Sequence, residues 1–284
     1  MIFAICFISV FAVVAFLGGL KISVRLGTKG RYSLLIVSLL FGIGYVFFLR
    51  DSSLQIQLIR NANTIFYGKW LLIIAGFAAG TLTNISSVRM WRRIVLVLAL
   101  LTASSMDFLC YFIYPRPEGG NVTEKWLSTQ TTESTCSAAS AASLLRIHGI
   151  EVSEEEMIRA CLSTIKGTPW QGVWRGVNLY AHPEYKAVLV RCKDGQNIEF
   201  PILISAEFNS SSEEHTKYVS QWGWKPGTPH SVVLFERTEN GYLTVGDPAI
   251  GIERWDDEAL EVLWNGQGIV LRKKFPDREE NSNK

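Results

Sequence analysis

Cysteine is scarce in this chain, with five in 284 residues, too few for a fold stapled by disulfides. Proline and glycine, at nine and 23, are ordinary, which excludes collagen-like and low-complexity architectures. There is no H-E-x-x-H, no paired C-x-x-C and no dinucleotide-binding glycine fingerprint, so neither a metal nor a cofactor is expected. A G-x-x-x-x-G-K-[ST] phosphate loop is missing as well, and these residues are therefore not an ATP-driven motor.

The shortage that organises the sequence is of acid. Before Pro115 there are ten Lys and Arg but only two Asp and Glu, a charge of +8; from Pro115 onward eighteen face twenty-four, a charge of −6. The overall +2 averages two unlike halves, which rules out a single soluble domain. The acidic second half also argues against a nucleic-acid partner.

Met1 to Leu20, Tyr32 to Leu49, Trp70 to Val88 and Ile94 to Tyr114 are apolar, with Asp107 their only charge. Roughly 20 such residues cross a ~30 Å hydrocarbon core. The runs predict four transmembrane helices, about 2–20, 32–49, 70–88 and 94–114, in a membrane region over 1–115. The first has no basic residue ahead of it and no small-x-small site at its end, so it reads as a retained helix and not a signal peptide. Lys21, Arg25, Lys29 and Arg31 fill the first loop and Arg89, Arg92 and Arg93 the third, against Arg50, Arg60, Lys69 and Arg116 on the other side. Positive-inside bias puts the first and third loops in the cytoplasm and both termini outside. The expected place is the cytoplasmic (inner) membrane, multi-pass, with the lipid bilayer as a partner. Asp107, beside Ser104 and Ser105 toward the outer end of its helix, reads as a polar helix contact, and Gly76-x3-Gly80 is a spacing for close helix approach.

Pro115 to Gly120 is rich in breakers and opens a linker over 116–125; a domain follows over 126–272 and a polar, disordered tail over 273–284. Gly119-Gly120 reads as a flexible hinge. Small residues and good helix formers predict a helix from Cys136 to Ile147, ended by Gly149. Ser153 with Glu156 is a capping box for a helix to about Leu162, and Thr168 with Gln171, Pro169 between them, is another for a helix to about Tyr180. Short runs rich in Val, Ile, Leu and Phe then predict strands at Tyr185–Cys192, Phe200–Ser205, Ser231–Glu236, Tyr242–Gly246 and Gly268–Leu271, with Asn240-Gly241 as a hairpin turn. Helices first and an antiparallel sheet afterwards make an α+β domain. The long connection Glu207–Pro229, with Trp222 and Trp224, is a candidate cleft wall.

Cys136 at a helix N-terminus has a physical reason to be reactive, because unpaired amides and the helix dipole favour the thiolate. Position alone weighs equally for one more small buried side chain. A thiolate nucleophile needs an imidazole and a group that orients it. Of His148, His182, His215 and His230, only His230 opens a strand whose hairpin partner ends in an acid, Asp247 before Pro248. Strand pairing brings 230 and 247 near each other. Asp247 alone would also serve as a turn residue. Gln130, six positions before Cys136, is a candidate oxyanion donor together with the Cys136 amide.

Gln130-x5-Cys136, Gly167-Thr168, Pro201 before an apolar strand, His230-Ser-Val-Val-Leu and Asp247-Pro248 together resemble the bacteriocin-processing, double-glycine leader peptidase domain, over about Trp126 to Leu271. The resemblance implies a papain-like cysteine peptidase with Cys136 as nucleophile, His230 as general acid/base, Asp247 as orienter and Gln130 in the oxyanion hole. It implies a peptide or protein substrate, cut after a double glycine, and a separate peptide exporter as a partner. Two departures stand out: Thr135-Cys136-Ser137 replaces the usual Asp-Cys-Gly, and the loop charges place the domain outside the membrane. A catalytically silent peptide-binding module, or the receptor domain of a transport or signalling assembly, are the alternatives. Outside the cytoplasm, Cys161 and Cys192 are available to form a disulfide.

Overall fold

The computed structural model describes residues 2–50, 53–181, 183–192, 197–209 and 216–274. The chain divides into two compact units, Met1–Tyr114 and Pro115–Lys284.

The first unit contains α1 (Ile2–Val24), α2 (Thr28–Phe48), α3 (Ser53–Ile59), α4 (Thr64–Tyr67), α5 (Leu71–Thr83) and α6 (Met90–Ile113). Among the described residues, three stretches are long and apolar enough to cross a membrane: Ile2–Val24, Thr28–Phe48 and Thr64–Thr83. The third begins earlier and ends earlier than the run from Trp70 to Val88 implied. It is interrupted at Gly68, whose carbonyl accepts from Tyr45 Oη at 2.6 Å and Gln55 Nε2 at 2.9 Å. It stops at Asn84, whose side-chain amide donates to Leu20 O at 2.9 Å and to Ser23 Oγ at 2.8 Å.

Basic residues in the first turns of α2 and α6 close the neighbouring helix ends. Arg31 donates to Ser23 O at 2.9 Å and Asn84 O at 2.6 Å, and Arg93 to Thr83 O at 2.5 Å. Cations there satisfy carbonyls that no further turn can reach. The Gly76-x3-Gly80 spacing is the α1–α5 seam: a Cβ at Gly76 would land on the Ala12 carbonyl and one at Gly80 on the Phe16 carbonyl. The side chain of Asp107 lies outside the described residues.

The second unit runs β1 (Thr123–Glu124), β2 (Leu127–Ser128), α7 (Cys136–Ile147), α8 (Glu154–Cys161), α9 (Trp170–Ala181), β3 (Tyr185–Arg191), β4 (Ile202–Ala206), α10 (Thr216–Ser220), β5 (His230–Arg237), β6 (Leu243–Asp247), β7 (Gly251–Trp255), α11 (Asp257–Leu263) and β8 (Trp264–Lys273). Six strands form one antiparallel sheet in the order β3-β8-β4-β5-β6-β7. This is an α+β, papain-like arrangement. On one face Ser140 of α7 donates to Ser231 O of β5 at 2.7 Å. Alternate residues on the other face, Val232, Leu234, Leu243, Val245 and Trp255, join Phe208, Tyr218 and the α11 side chains in the main core.

Local sequence signals set several of these elements. Ser153 Oγ accepts from the Glu156 amide at 3.1 Å while Glu156 Oε2 accepts from the Ser153 amide at 2.9 Å, so α8 opens on a capping box. For α9 the helix starts one position later than expected, at Trp170, and the Thr168 hydroxyl lies 2.6 Å from that of Ser163. The β5–β6 turn also differs from a two-residue hairpin. Of Asn240 and Gly241 only the glycine has positive φ, +85°, and the loop closes through Thr238 N–H to Tyr242 O at 2.7 Å. β7 and α11 were not anticipated. The first reads Gly-Ile-Glu-Arg-Trp, with too much charge to stand out as a strand. The second is capped by Asp256, which accepts from the Ala259 amide at 2.8 Å.

Three further expectations need correction. Gly119-Gly120 is not a free hinge, because Gly119 lies against Glu155 and Ile158 of α8 and the Gly120 amide donates to Glu154 Oε2 at 2.7 Å. Cys161 and Cys192 are both free thiols. Cys161, the last residue of α8, is fully buried against Gly176 of α9, and burial pushes its thiol up to about 12 against the smaller opposing influences of Arg175 and the Gly176 backbone. Cys192 follows β3, its amide bonded to Gly266 O at 2.8 Å. The expected tail begins inside β8, which continues to Lys273; residues 275–284 lie outside the described residues.

Candidate active site

The N-cap position of α7 is Thr135, and its hydroxyl makes no capping bond to the helix. It donates backward to Thr132 O at 2.9 Å, tightening the 132–135 turn. The first amides of α7 are thus left without a side-chain cap, and Cys136, 9% exposed, occupies the first helical turn.

His230 begins β5, opposite Ala206 of β4, and Asp247 ends β6. Val233 pairs with Gly246 and Leu234 with Val245, so the same register carried on sets Asp247 one diagonal step from His230. His230 Nε2 lies 2.9 Å from each Asp247 carboxylate oxygen. Asp247 Oδ1 also accepts from the Ala249 amide at 2.7 Å, so the turn role and the His contact coexist. With Nε2 committed to Asp247, Nδ1 is the ring nitrogen left for Cys136, whose thiol is coupled electrostatically to His230.

Electrostatics follow from this sandwich. Burial alone would raise the Cys136 thiol. The hydrogen bond and charge of His230, then the Ser231 backbone and the Ser137 hydroxyl, outweigh it and hold the thiol below its usual value. Burial alone would lower His230; Asp247 and Cys136 reverse this and push it up to about 10. Opposite shifts on the two groups favour a thiolate–imidazolium pair.

The surroundings hold the pair in place. Ser137 and Ser231, each following one of the two residues, have hydroxyl oxygens 2.8 Å apart. Ser137 thus gives the unusual Thr-Cys-Ser triplet a defined contact across to β5. Trp224, from the 207–229 connection, sets its ring edge-to-face on His230 at 5.9 Å and on Trp255 at 6.0 Å. Glu253 of β7 accepts from Trp255 Nε1 at 3.2 Å; burial, with the charge of Asp247, raises its carboxyl.

Gln130 is placed by its backbone, whose amide donates to Pro248 O at 2.8 Å beside Asp247. Its side-chain Oε1 is buried and has no hydrogen-bond partner among the described residues. His148 is elsewhere, at the opposite end of α7, with Nδ1 2.9 Å from Leu144 O. His182 and His215 lie outside the described residues. Among the described residues no group of three or more His, Cys, Asp or Glu is placed to hold a metal ion. Sequence reasoning missed Ser137, Ser231, Glu253 and the placing of Trp224 on the imidazole. Only the last had a signal, the long tryptophan-bearing connection.

A thiol at a helix N-terminus facing a His–Asp pair on neighbouring antiparallel strands defines a papain-like domain. The chain belongs to the Peptidase C39 family, which matches residues 125–275. No curated protein matches the chain. Among solved structures it is similar to the peptidase domain of Streptococcus ComA, a bi-functional ABC transporter involved in a quorum sensing pathway, at 17% identity and a TM-score of 0.40, covering 52% of this chain and 98% of that one. It is similar also to a double glycine motif protease from an AMS/PCAT transporter in complex with the leader peptide, at 21% identity and a TM-score of 0.39, covering 56% and 94%. A third is the peptidase domain of Streptococcus mutans ComA, at 17% identity and a TM-score of 0.35, covering 52% and 99%.

Proposed function

We propose that this chain is a membrane-anchored cysteine peptidase that hydrolyses peptide bonds through Cys136, His230 and Asp247, with the peptidase domain on the outer side of the cytoplasmic membrane. The observation that carries this reading is His230 held by Asp247, with Nε2 2.9 Å from both carboxylate oxygens, while Cys136 at the N-terminus of α7 is brought to the same place by the Ser137–Ser231 contact at 2.8 Å. The Cys136 thiolate adds to the scissile carbonyl; an S–C bond forms and the π pair moves to oxygen. Donors for that oxyanion are the Cys136 amide and the Gln130 carboxamide. Collapse expels the amine, which takes its proton from the His230 imidazolium and leaves a thioester with a neutral imidazole. Water then adds to the thioester as His230 takes its proton, and expulsion of the thiolate releases the acid and restores the ion pair. Asp247 keeps the ring oriented throughout.

The family resemblance supports a leader-type substrate cut after a double glycine, brought to the membrane by a separate peptide exporter. The test uses the full chain in lipid vesicles with a synthetic peptide bearing one Gly-Gly, and mass spectrometry of the products. Cleavage after the second glycine is expected, with loss of at least ~10³-fold in kcat for Cys136→Ala. Cleavage elsewhere overturns the double-glycine assignment. An intact peptide, with a Cys136 no more reactive than an ordinary thiol, overturns the peptidase reading.

A further inference from the structure

Among the described residues, Glu154 is the one fully buried carboxylate that lies away from the Cys–His–Asp cluster. It is the first residue of α8, and three donors converge on it. Oε1 accepts from the Thr131 amide at 2.8 Å; Oε2 accepts from the Thr131 hydroxyl at 2.5 Å and from the Gly120 amide at 2.7 Å. The helix N-terminus and these donors together offset the cost of burying a carboxylate.

The partner of interest is Thr131, because its neighbour is Gln130. On the Gln130 side the backbone is tied to Pro248 O at 2.8 Å, one residue past Asp247. On the Thr131 side the backbone amide is tied to Glu154 Oε1, and the Thr131 hydroxyl to Oε2. Among the described residues Gln130 Oε1 has no partner, so none of them steers the carboxamide through that atom. Its position is inherited from these two backbone anchors. A donor that must meet an oxyanion within hydrogen-bond range tolerates little displacement, and about 1 Å of misplacement costs on the order of 100-fold in rate.

We propose that Glu154 is a positioning residue that sets the oxyanion donor Gln130 by clamping Thr131, using the same carboxylate to fix Gly120 at the start of the domain. This rests on the peptidase reading above. The clamp also accounts for the paired glycines, since a Cβ at Gly119 would meet Glu155 Cα at 2.8 Å and one at Gly120 would meet the Thr131 hydroxyl at 2.9 Å. Side chains there would hold the 119–120 segment off α8 and open the clamp.

The test compares peptide hydrolysis with alkylation of Cys136 by iodoacetamide, in the purified full chain in detergent. Alkylation needs the thiolate but forms no oxyanion. Glu154→Gln is expected to lower kcat by roughly 10- to 100-fold with KM nearly unchanged and alkylation within about twofold of wild type. In a Gln130→Ala background the same change is expected to have no further effect. Thr131→Val removes only the hydroxyl bond and is expected to lower kcat by about threefold, which keeps the idea testable if Glu154→Gln does not fold. Alkylation that falls in step with kcat, or effects of Glu154→Gln and Gln130→Ala that multiply, overturn the positioning role while leaving the peptidase intact. A wild-type chain that hydrolyses no peptide overturns the peptidase reading, and the role of Glu154 with it.

Discussion

At the scale of single residues, His230 carries opposing influences that resolve in favour of its charged form. Its value, raised from 6.5 to about 10, means that its stabilisation of the fold is complete below about 6.5 and is lost as pH rises through about 10. Cys136 runs the other way: lowered from 9.0, it contributes above that value and loses the contribution as pH falls through its lowered one. In a Cys136→Ala background, where only the His230–Asp247 contribution remains, the excess thermal midpoint in circular-dichroism melts over Cys136→Ala/His230→Gln should therefore shrink as pH rises above about 6.5. A widening gap would contradict the ion pair. Alkylation of Cys136 should remain fast well below pH 9.0 in wild type and become confined to alkaline pH in His230→Gln. The nucleophile, base and orienter were legible as residue types at element ends. Glu154 was not, because a carboxylate in a helix first turn is ordinary on a solvated face, and only tertiary packing buries this one.

Elements whose ends are marked by local chemistry were legible. α7 spans Cys136–Ile147 as its composition required, and α8 opens on its Ser153–Glu156 box. Elements defined by their neighbours were not: β7 alternates Ile252 and Arg254 outward with Glu253 and Trp255 inward, a pattern that becomes a strand only beside β6. The Gly76-x3-Gly80 spacing was readable, but its use depended on which helix lay opposite. Here that is α1, whose Ala12 and Phe16 carbonyls occupy the space of the missing Cβ atoms. Backbone cannot yield as a side-chain tip can, so Gly80→Leu should force α1 and α5 apart. We expect a loss of roughly 1–3 kcal/mol, read in detergent as earlier thermal exposure of Cys110 to a thiol-reactive dye, with the rate of Cys136 alkylation at low temperature unchanged.

For the molecule as a whole, the contrast of +8 before Pro115 and −6 after it assigns two environments to one chain. Arg31 in the first turns of α2 and Arg93 in the first turns of α6 close the ends of α1 and α5, so both cations lie at one end of the first unit. Reporter fusions at Lys284 should accordingly be active as alkaline phosphatase and silent as a fluorescent protein that folds only in the cytoplasm. The reverse pattern would move the peptidase domain inside. Local sequence specifies the division into an apolar basic part and an acidic α+β domain, and the helix of small residues, ended by Gly149, that carries Cys136. These follow from hydropathy, charge and capping, which act over one or two turns of chain. Only the tertiary structure decided that Asp247 lies 2.9 Å from His230, that Trp224 covers the imidazole, and that Glu154 is buried beneath Thr131. Each depends on strand register or on how a loop or helix packs against the sheet, where no local energy discriminates among the alternatives and close packing selects one.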